Sequence, residues 1–230
     1  MTSLRRRNAE SGYARGEETR AKIIETAITL FGEKGFAGVS TREIAGAAGV
    51  PAPSIQYYFE NKEGLYQACV DNLHMSAWEA VGPVIAEVET LLADKADSDR
   101  LIDGYCRILE RLADFLFAMP DAGSRALFVA QHRALTNWQK STPSGQQATG
   151  RRIQDCCAAV VARIAEGRLS QEDSKIVSTT VNGQLMIVHL ARDHVEDMLG
   201  WTEITSARNE ALKSVVRRQT TLLLNSYRSG

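Results

Sequence analysis

The sequence predicts an all-α protein, because apolar residues recur at helical spacing along most of its 230 residues. No segment shows the apolar–polar alternation of a strand, and glycine, proline or polar stretches separate the helical segments. We expect an N-terminal helix-turn-helix domain of three helices, followed by a larger helical domain. The predicted divisions are a flexible basic arm over 1–16, the helix-turn-helix domain over 17–65 and the larger domain over 66–230.

The first helix is predicted to begin at Glu17 and to end before Gly35. A glutamate suits the positive end of a helix dipole, and glycine takes the left-handed conformation that ends many helices. Residues 1–16 are rich in arginine but lack helical periodicity, which is why an arm is expected there. The buried stripe of the helix has the spacing i, i+3, i+4, i+7 and consists of Ile24, Ala27, Ile28 and Phe31.

Two short helices follow. Ser40 and Glu43 have the spacing of a capping box, in which each side chain accepts a hydrogen bond from the other residue's backbone N–H. Gly49 permits a sharp turn, and the next helix is predicted from about Pro51 to Tyr58. Two short helices joined by a glycine turn have the layout of a helix-turn-helix. The side chains expected in the small core between them are Ile44, Ala45, Ala47, Ala48, Val50, Ile55 and Phe59.

The residues left outside this core suit contacts with DNA. A helix N-terminus and a hydroxyl can hold a phosphate, arginine and glutamine can read bases, and proline or alanine can contact thymine methyl groups. Tyrosine and lysine can bind phosphates and fix the register. Because the third helix has no basic residue, Arg42 and Gln56 are expected to do most of the base reading. The predicted DNA contacts are Thr41, Arg42, Pro51, Ala52, Ser54, Gln56, Tyr57 and Lys62.

The rest of the chain keeps the helical pattern. Asn61 is placed to cap a fourth helix, which Gly82-Pro83 should kink or split. The predicted helices lie over 62–93, 99–118, 121–138, 147–167, 170–197 and 203–228.

The motifs TREIAGAAGV, IQYYF and KEGLY, preceded by LFGEKGF, closely resemble the DNA-binding domain of the TetR family of bacterial regulators. The resemblance covers about residues 17–66. It implies a homodimeric repressor whose helical domain encloses a small-molecule site, and whose ligand changes the separation of two DNA-binding heads. The segments RALFVAQHRALT, VNGQLMIVHLARD and MLGWTEIT are similar to the C-terminal domain of the CecR-like branch, which is associated with antibiotic stress and efflux.

The last two predicted helices carry apolar stripes that suit a dimer interface or, alternatively, the core of their own domain. The resemblance favours the homodimer, which would read a palindromic operator. The stripes consist of Ile176, Val177, Val181, Leu185 and Val188, and of Ile204, Leu212, Val215, Val216, Leu222 and Leu223.

Aromatic and polar residues within apolar helices are the predicted contacts for a small, largely apolar effector. Each of them is also compatible with an ordinary place in the core. They are His74, Trp78, Tyr105, Phe128, His132, Gln184 and His189.

Other functions are less well supported by the sequence. It has neither a catalytic motif nor a membrane-length apolar window, so we expect a cytoplasmic regulator that is not an enzyme, with no cofactor and no metal. His194 and Asp197 have a spacing that could share a metal, but a solvated helix end is the simpler interpretation. Two alternatives remain: a DNA-binding structural or interaction protein without an inducer, and a redox-responsive regulator that uses cysteines such as Cys156 and Cys157.

Overall fold

The computed structural model describes residues 3–119, 121–135 and 146–228, which form ten helices and no strand. The all-α prediction is confirmed. The helices are α1 (Ser3–Lys34), α2 (Thr41–Ala48), α3 (Pro53–Phe59), α4 (Lys62–Ala93), α5 (Ser98–Phe117), α6 (Ala122–Leu135), α7 (Gln146–Ala165), α8 (Gln171–Leu190), α9 (Arg192–Met198) and α10 (Ser206–Asn225).

Helices α1, α2 and α3 pack with the first turns of α4 around one apolar core. We call this group of helices the head. The predicted stripe of α1 is buried, as are Ile44, Ala45 and Ala48 of α2. Ala47 is exposed, so its predicted place in the helix crossing is wrong. A helix turns by about 100° per residue, which places Ala47 beside the buried face rather than on it.

The turn of the helix-turn-helix forms as predicted, but its capping box is only half formed. The backbone N–H of Glu43 donates to the Ser40 hydroxyl (3.1 Å), whereas the Glu43 carboxylate pairs with Lys34 of α1. Gly49 ends α2 in the left-handed conformation (φ 66°). Asn61 caps α4, since its Oδ1 accepts from the backbone N–H of Gly64 (2.7 Å). The Glu43–Lys34 pair therefore joins α2 to α1 instead of completing the cap.

Helix α4 joins the head to the remaining helices, which we call the body. It contributes Leu65 and Cys69 to the head core, and Ile85 and Val88 to the body core. The boundary predicted between residues 65 and 66 thus falls inside this helix. The helix stays continuous through Pro83, so the predicted split does not occur. One continuous helix consequently contributes to both cores.

The body packs around α5, whose apolar face includes the fully buried Tyr105 and Leu109. Helices α4, α7, α8 and α10 cover this face. Ion pairs add a polar seam between α5 and α10, where Arg217 bonds to Glu110 (2.5 Å) and Lys213 to Asp114 (2.9 Å). This packing fixes the helices that surround the cavity described below.

Two helix boundaries differ from the predictions. Helix α1 begins at Ser3 rather than Glu17, so helical backbone occupies most of the predicted arm over 1–16. The prediction relied on apolar periodicity, which reports burial, whereas this stretch is rich in arginine and other good helix formers. The helix predicted over 170–197 is divided at Ala191, between α8 and α9. Alanine is the best helix former, so nothing in the sequence marked this break.

Candidate DNA-binding surface and ligand cavity

The predicted DNA contacts lie on α2, the glycine turn, α3 and the first residue of α4. Arg42, Pro51, Ala52, Gln56 and Tyr57 are exposed, with 81% of Tyr57 accessible. An aromatic side chain this exposed contributes little to the core, so it is available to a partner.

The other three predicted contacts, Thr41, Ser54 and Lys62, are partly buried. The Lys62 ammonium lies 4.5 Å from the centroid of the Phe36 ring, an arrangement that holds the cation at the start of α4. The predicted set therefore forms a continuous stretch of the head, with five exposed and three half-buried members.

The structure adds basic residues of α1 to this surface. The Lys22 ammonium nitrogen lies 3.7 Å from the position that a Cβ of Gly49 would take, so it stands beside the turn. The Arg20 guanidinium lies 5.4 Å from the centroid of the Phe59 ring, next to α3. The basic excess of the N-terminal segment was visible in the sequence, but its position depends on how α1 crosses α2 and α3.

A cavity of about 190 Å³ lies in the body between α4, α5, α6 and α8. Most of its wall is aliphatic or aromatic, which is typical of small-molecule sites. A larger concavity over α4 and α5 is lined mainly by charged residues such as Glu87, Asp103 and Arg107. The apolar cavity is lined by Val70, Leu73, His74, Ala77, Leu112, Phe115, Leu116, Ala122, Arg125, Phe128, Val129, His132, Met186 and His189.

Four of the seven predicted ligand contacts line this cavity: His74, Phe128, His132 and His189. The remaining three lie elsewhere. Residue type alone could not separate the two groups, since all seven are aromatic or polar residues on buried helices.

Trp78 packs over Gly82, where a Cβ would lie only 2.8 Å from the indole, and under the Arg152 guanidinium. Tyr105 is fully buried and donates to Oδ1 of Asn182 (3.0 Å), a core role. Gln184 is half-buried, outside the cavity wall.

The polar groups of the cavity are concentrated on its α4–α6 side. The Tyr66 hydroxyl lies 3.1 Å from Nδ1 of His132, and burial raises the pKa of Tyr66 to about 12, so this phenol stays protonated and can donate. Burial, and then His132, lower the pKa of His74, while Asp71 opposes the shift. The imidazole of His74 is therefore more readily neutral than a free one.

Arg125 was not predicted from the sequence, although it lies on the cavity wall and is only 9% exposed. Its Nε donates to Oδ2 of Asp121, one helical turn earlier, at 2.6 Å. Its Nη1 is buried and has no hydrogen-bond partner in the described part of the chain. An arginine seldom lies so deep unless it is paired, and here Asp121 is the partner; no sequence pattern marked this burial.

Helix α6 connects the cavity with the head. Phe128 lines the cavity and also belongs to the head core, where its ring centroid lies 6.4 Å from that of Phe31 and 5.1 Å from that of Tyr66. On the α1 side, the Gln131 amide donates to the carbonyl of Gly32 (2.8 Å). A Cβ at Gly32 would lie 2.5 Å from the carbonyl oxygen of Ser124, so the two helices touch backbone to backbone.

The four cysteines are free thiols and all are buried. Burial raises the pKa of Cys156 to about 11 and that of Cys157 to about 12, so both remain protonated near neutral pH. A protonated, buried thiol is a poor nucleophile. Among the described residues, no cluster of three or more His, Cys, Asp or Glu is arranged to hold a metal, and no helix is long and apolar enough to cross a membrane.

A helix-turn-helix exposed on a head, joined by one long helix to a body with an apolar cavity, defines a DNA-binding regulator. Residues 23–69 match the model of the bacterial regulatory proteins of the tetR family, and residues 107–227 match the C-terminal domain of the HTH-type transcriptional dual regulator CecR. The chain belongs to the TetR family of transcriptional regulators, in the branch with the CecR C-terminal domain.

Individual proteins agree with this assignment. The chain is 25% identical over 218 residues to CecR of Shigella flexneri. The aligned region covers 91% of this chain and 93% of that protein. It is 45% identical over 58 residues to the regulator TtgR of Pseudomonas putida, or 25% of this chain and 28% of that protein.

Solved structures show the same fold. A TetR-like regulator from Rhodococcus sp. RHA1 has a TM-score of 0.59 at 18% identity, over 88% of this chain and 96% of that one. AibR, solved in complex with isovaleryl coenzyme A and operator DNA, has a TM-score of 0.59 at 15% identity, over 87% of this chain and 97% of that one.

Proposed function

We propose that this regulator is a repressor that binds a palindromic operator as a homodimer and leaves it when a small, largely apolar molecule fills the cavity. In this proposal residues 17–65 bind DNA and residues 66–230 bind the effector and dimerise. The protein acts in the cytoplasm, where bacterial DNA is. The observation that carries the proposal is α6, which lines the cavity with Phe128 and contacts α1 backbone to backbone at Gly32.

The proposed mechanism follows from that double contact. A ligand that displaces Phe128 also displaces α6. Helix α1 has to move with α6, because their backbones touch at Gly32 with no side chain between them that could change its rotamer. Helix α1 carries the head, so the two heads of a dimer change their separation. Half-sites about 34–36 Å apart are then no longer matched. The alternative of a DNA-binding protein without an inducer requires a filled body core, and the cavity supports the inducer instead.

For DNA reading, we propose that Arg42 and Gln56 contact bases. Thr41, Ser54, Tyr57 and Lys62 bind the backbone, and Pro51 and Ala52 contact thymine methyl groups. The exposure of Arg42 and Gln56 supports this division, since neither has to leave a core to reach DNA. Lys22 extends the phosphate contacts beside the turn.

Substitution tests the proposed readout. Arg42→Ala and Gln56→Ala should each weaken operator binding by about 1–3 kcal/mol and relax sequence preference at one position of each half-site. The control is Arg111→Ala, which removes an exposed arginine from α5 in the body and should leave binding unchanged. Fluorescence anisotropy with the operator and a scrambled duplex measures both effects. Unchanged preference in both head variants would refute the readout.

The dimer proposal rests on apolar side chains that remain exposed on α8 and α10. Val181, Leu185 and Val216 of the predicted stripes face the body core, but Ile176 (54% exposed) and Leu222 (68% exposed) do not. Helices with a second, uncovered apolar face are expected to bury it against a partner. Regulators of this family typically form dimers, which supports the same surface.

An apolar-to-charged substitution tests this surface. Leu222→Glu should convert the dimer to a monomer, because a carboxylate would be buried twice across a two-fold interface. Met75→Glu is the matched control, since Met75 is 61% exposed but lies on α4. Sedimentation equilibrium distinguishes the two states. A dimeric Leu222→Glu protein, or dissociation in both variants, would contradict the proposed interface.

Effector release is tested through reciprocity. A compound that binds the cavity and weakens operator affinity by some factor must itself bind the operator complex more weakly by the same factor. Isothermal titration of free protein and of the operator complex measures this ratio. Compounds that occupy the cavity with equal affinity in both states would contradict the mechanism.

A further inference from the structure

Arg125 is a charged side chain in an otherwise largely apolar wall. It is 9% exposed, and its guanidinium has five N–H donors in a planar fork. One of them, on Nε, is used by Asp121 at 2.6 Å. The side chain of Asp121 is 30% exposed, so this ion pair is partly open to solvent. Nη1 is buried and has no partner among the described residues.

We propose that the cavity binds a small organic acid with an apolar body, and that Arg125 holds its carboxylate. This inference rests on the proposed function and specifies its effector class. A carboxylate matches the arginine fork, and Arg125 places this fork on the cavity wall. A neutral hydrocarbon offers the guanidinium no acceptor, and an organic cation is repelled by it.

The other polar residues of the wall are compatible with an anion. His74 lies on the same cavity, and an imidazole carries at least one N–H donor in either protonation state. Among the lining residues there is no carboxylate that would repel the ligand. The Asp121 carboxylate is occupied by the Arg125 Nε and does not itself line the cavity.

The volume limits the size of the acid. The cavity measures about 190 Å³. An apolar cavity of about 150 Å³ holds the six carbons of benzene, so the present one suits an apolar body of about seven or eight carbons. Suitable acids are a single-ring aromatic acid or a medium-length aliphatic acid. Phenylacetate and octanoate represent the two shapes.

A matched arginine is available as a control. Arg192, on α9, also pairs through its Nε with a carboxylate four residues away, that of Glu196 (2.9 Å), and its Nη1 is also buried without a partner among the described residues. It lines a neighbouring pocket of mixed polar and apolar residues and not the apolar cavity. Arg125→Gln and Arg192→Gln therefore make the same chemical change inside and outside the proposed site.

The experiment titrates the unmodified full-length protein with phenylacetate, phenylacetamide and 2-phenylethylamine, and with octanoate and octanamide, by isothermal calorimetry. The acids should bind at least about tenfold more tightly than their amides, the range expected for one charge-assisted hydrogen bond. The amine should not bind. Arg125→Gln should remove the preference for the acid, while Arg192→Gln keeps it.

Several outcomes would overturn the inference: amides or the amine binding as tightly as the acids, no acid of this size binding, or equal loss in both variants. Because the comparison of acids with amides uses unmodified protein, it holds even if Arg125→Gln fails to fold. Release from DNA is measured separately by anisotropy. Neutral compounds that bind in the cavity and release the protein from the operator would refute the acid preference alone. Acids that bind in the cavity but leave the protein on the operator would refute the proposed function alone.

Discussion

The contact between α1 and α6 at Gly32 makes a quantitative prediction about the variant Gly32→Ala. A Cβ there would lie 2.5 Å from the carbonyl oxygen of Ser124 and 3.1 Å from the backbone nitrogen of Phe128. Both are backbone atoms, which cannot rotate away. To reach an ordinary contact of about 3.4 Å, α6 has to move by about 0.9 Å relative to α1. The new methyl group thus acts on the same joint as the proposed effector.

The net stability effect combines two terms. Overpacking a filled contact costs about 1–3 kcal/mol, while alanine in place of a helical glycine returns about 1 kcal/mol. We expect a net loss of up to about 2 kcal/mol. For a chain of this length, that lowers the melting temperature by up to about 8 °C.

Gly150→Ala provides the comparison. Gly150 is a helical residue of α7, and a Cβ there would meet no atom within 4 Å. That variant should gain up to about 1 kcal/mol from helix propensity alone. Differential scanning calorimetry of both proteins isolates the overlap. If Gly32→Ala melts at or above the temperature of Gly150→Ala, the backbone contact between α1 and α6 does not exist as described. Operator affinity of the folded Gly32→Ala protein should also fall.

Three further predictions concern the head and the buried groups. Ser40→Ala should lower the free energy of unfolding by about 1 kcal/mol, because the Glu43 N–H loses its hydrogen-bond acceptor. Calorimetry should show no such loss for the control Ser206→Ala, which removes an exposed serine that caps no helix. Cys156 and Cys157 should resist Ellman's reagent until the protein unfolds, since burial raises the pKa of Cys156 to about 11 and that of Cys157 to about 12. Rapid labelling of these thiols in the native protein would contradict their burial. The pKa of His74 is lowered in the folded protein, so the unfolded chain binds more protons. Stability should therefore fall as the pH drops below about 6.5, the usual pKa of histidine. Between about pH 7.5 and about pH 5.5, the melting temperature of His74→Gln should fall by less than that of the unmodified protein.

Much of the head could be predicted from the sequence because its signals are local. The glycine turn at Gly49, the Ser40 and Asn61 caps, and the stripe from Ile24 to Phe31 each depend on neighbours within a few residues. Such short-range rules are encoded directly in spacing. The Glu43 side chain was the exception, since its partner Lys34 belongs to another helix.

The cavity could be predicted only in part, because its wall is assembled from four helices. His74, Phe128, His132 and His189 were identified as unusual residues on apolar helices, but the same pattern also selected Tyr105, which bonds within the core. Arg125 was missed because an arginine one turn after an aspartate usually indicates a surface ion pair. Its burial depends on how α6 lies against α4 and α5, which no local pattern records.

In the proposed function, the head reads a two-fold symmetric DNA site. Selection of bound sequences from a randomised duplex pool by the full-length protein tests it directly. We predict a consensus of two inverted half-sites, with centres about one helical turn or a multiple of it apart, and binding that weakens steeply with salt. Recovery of unrelated sequences, or a consensus without two-fold symmetry, would contradict operator binding by a symmetric dimer.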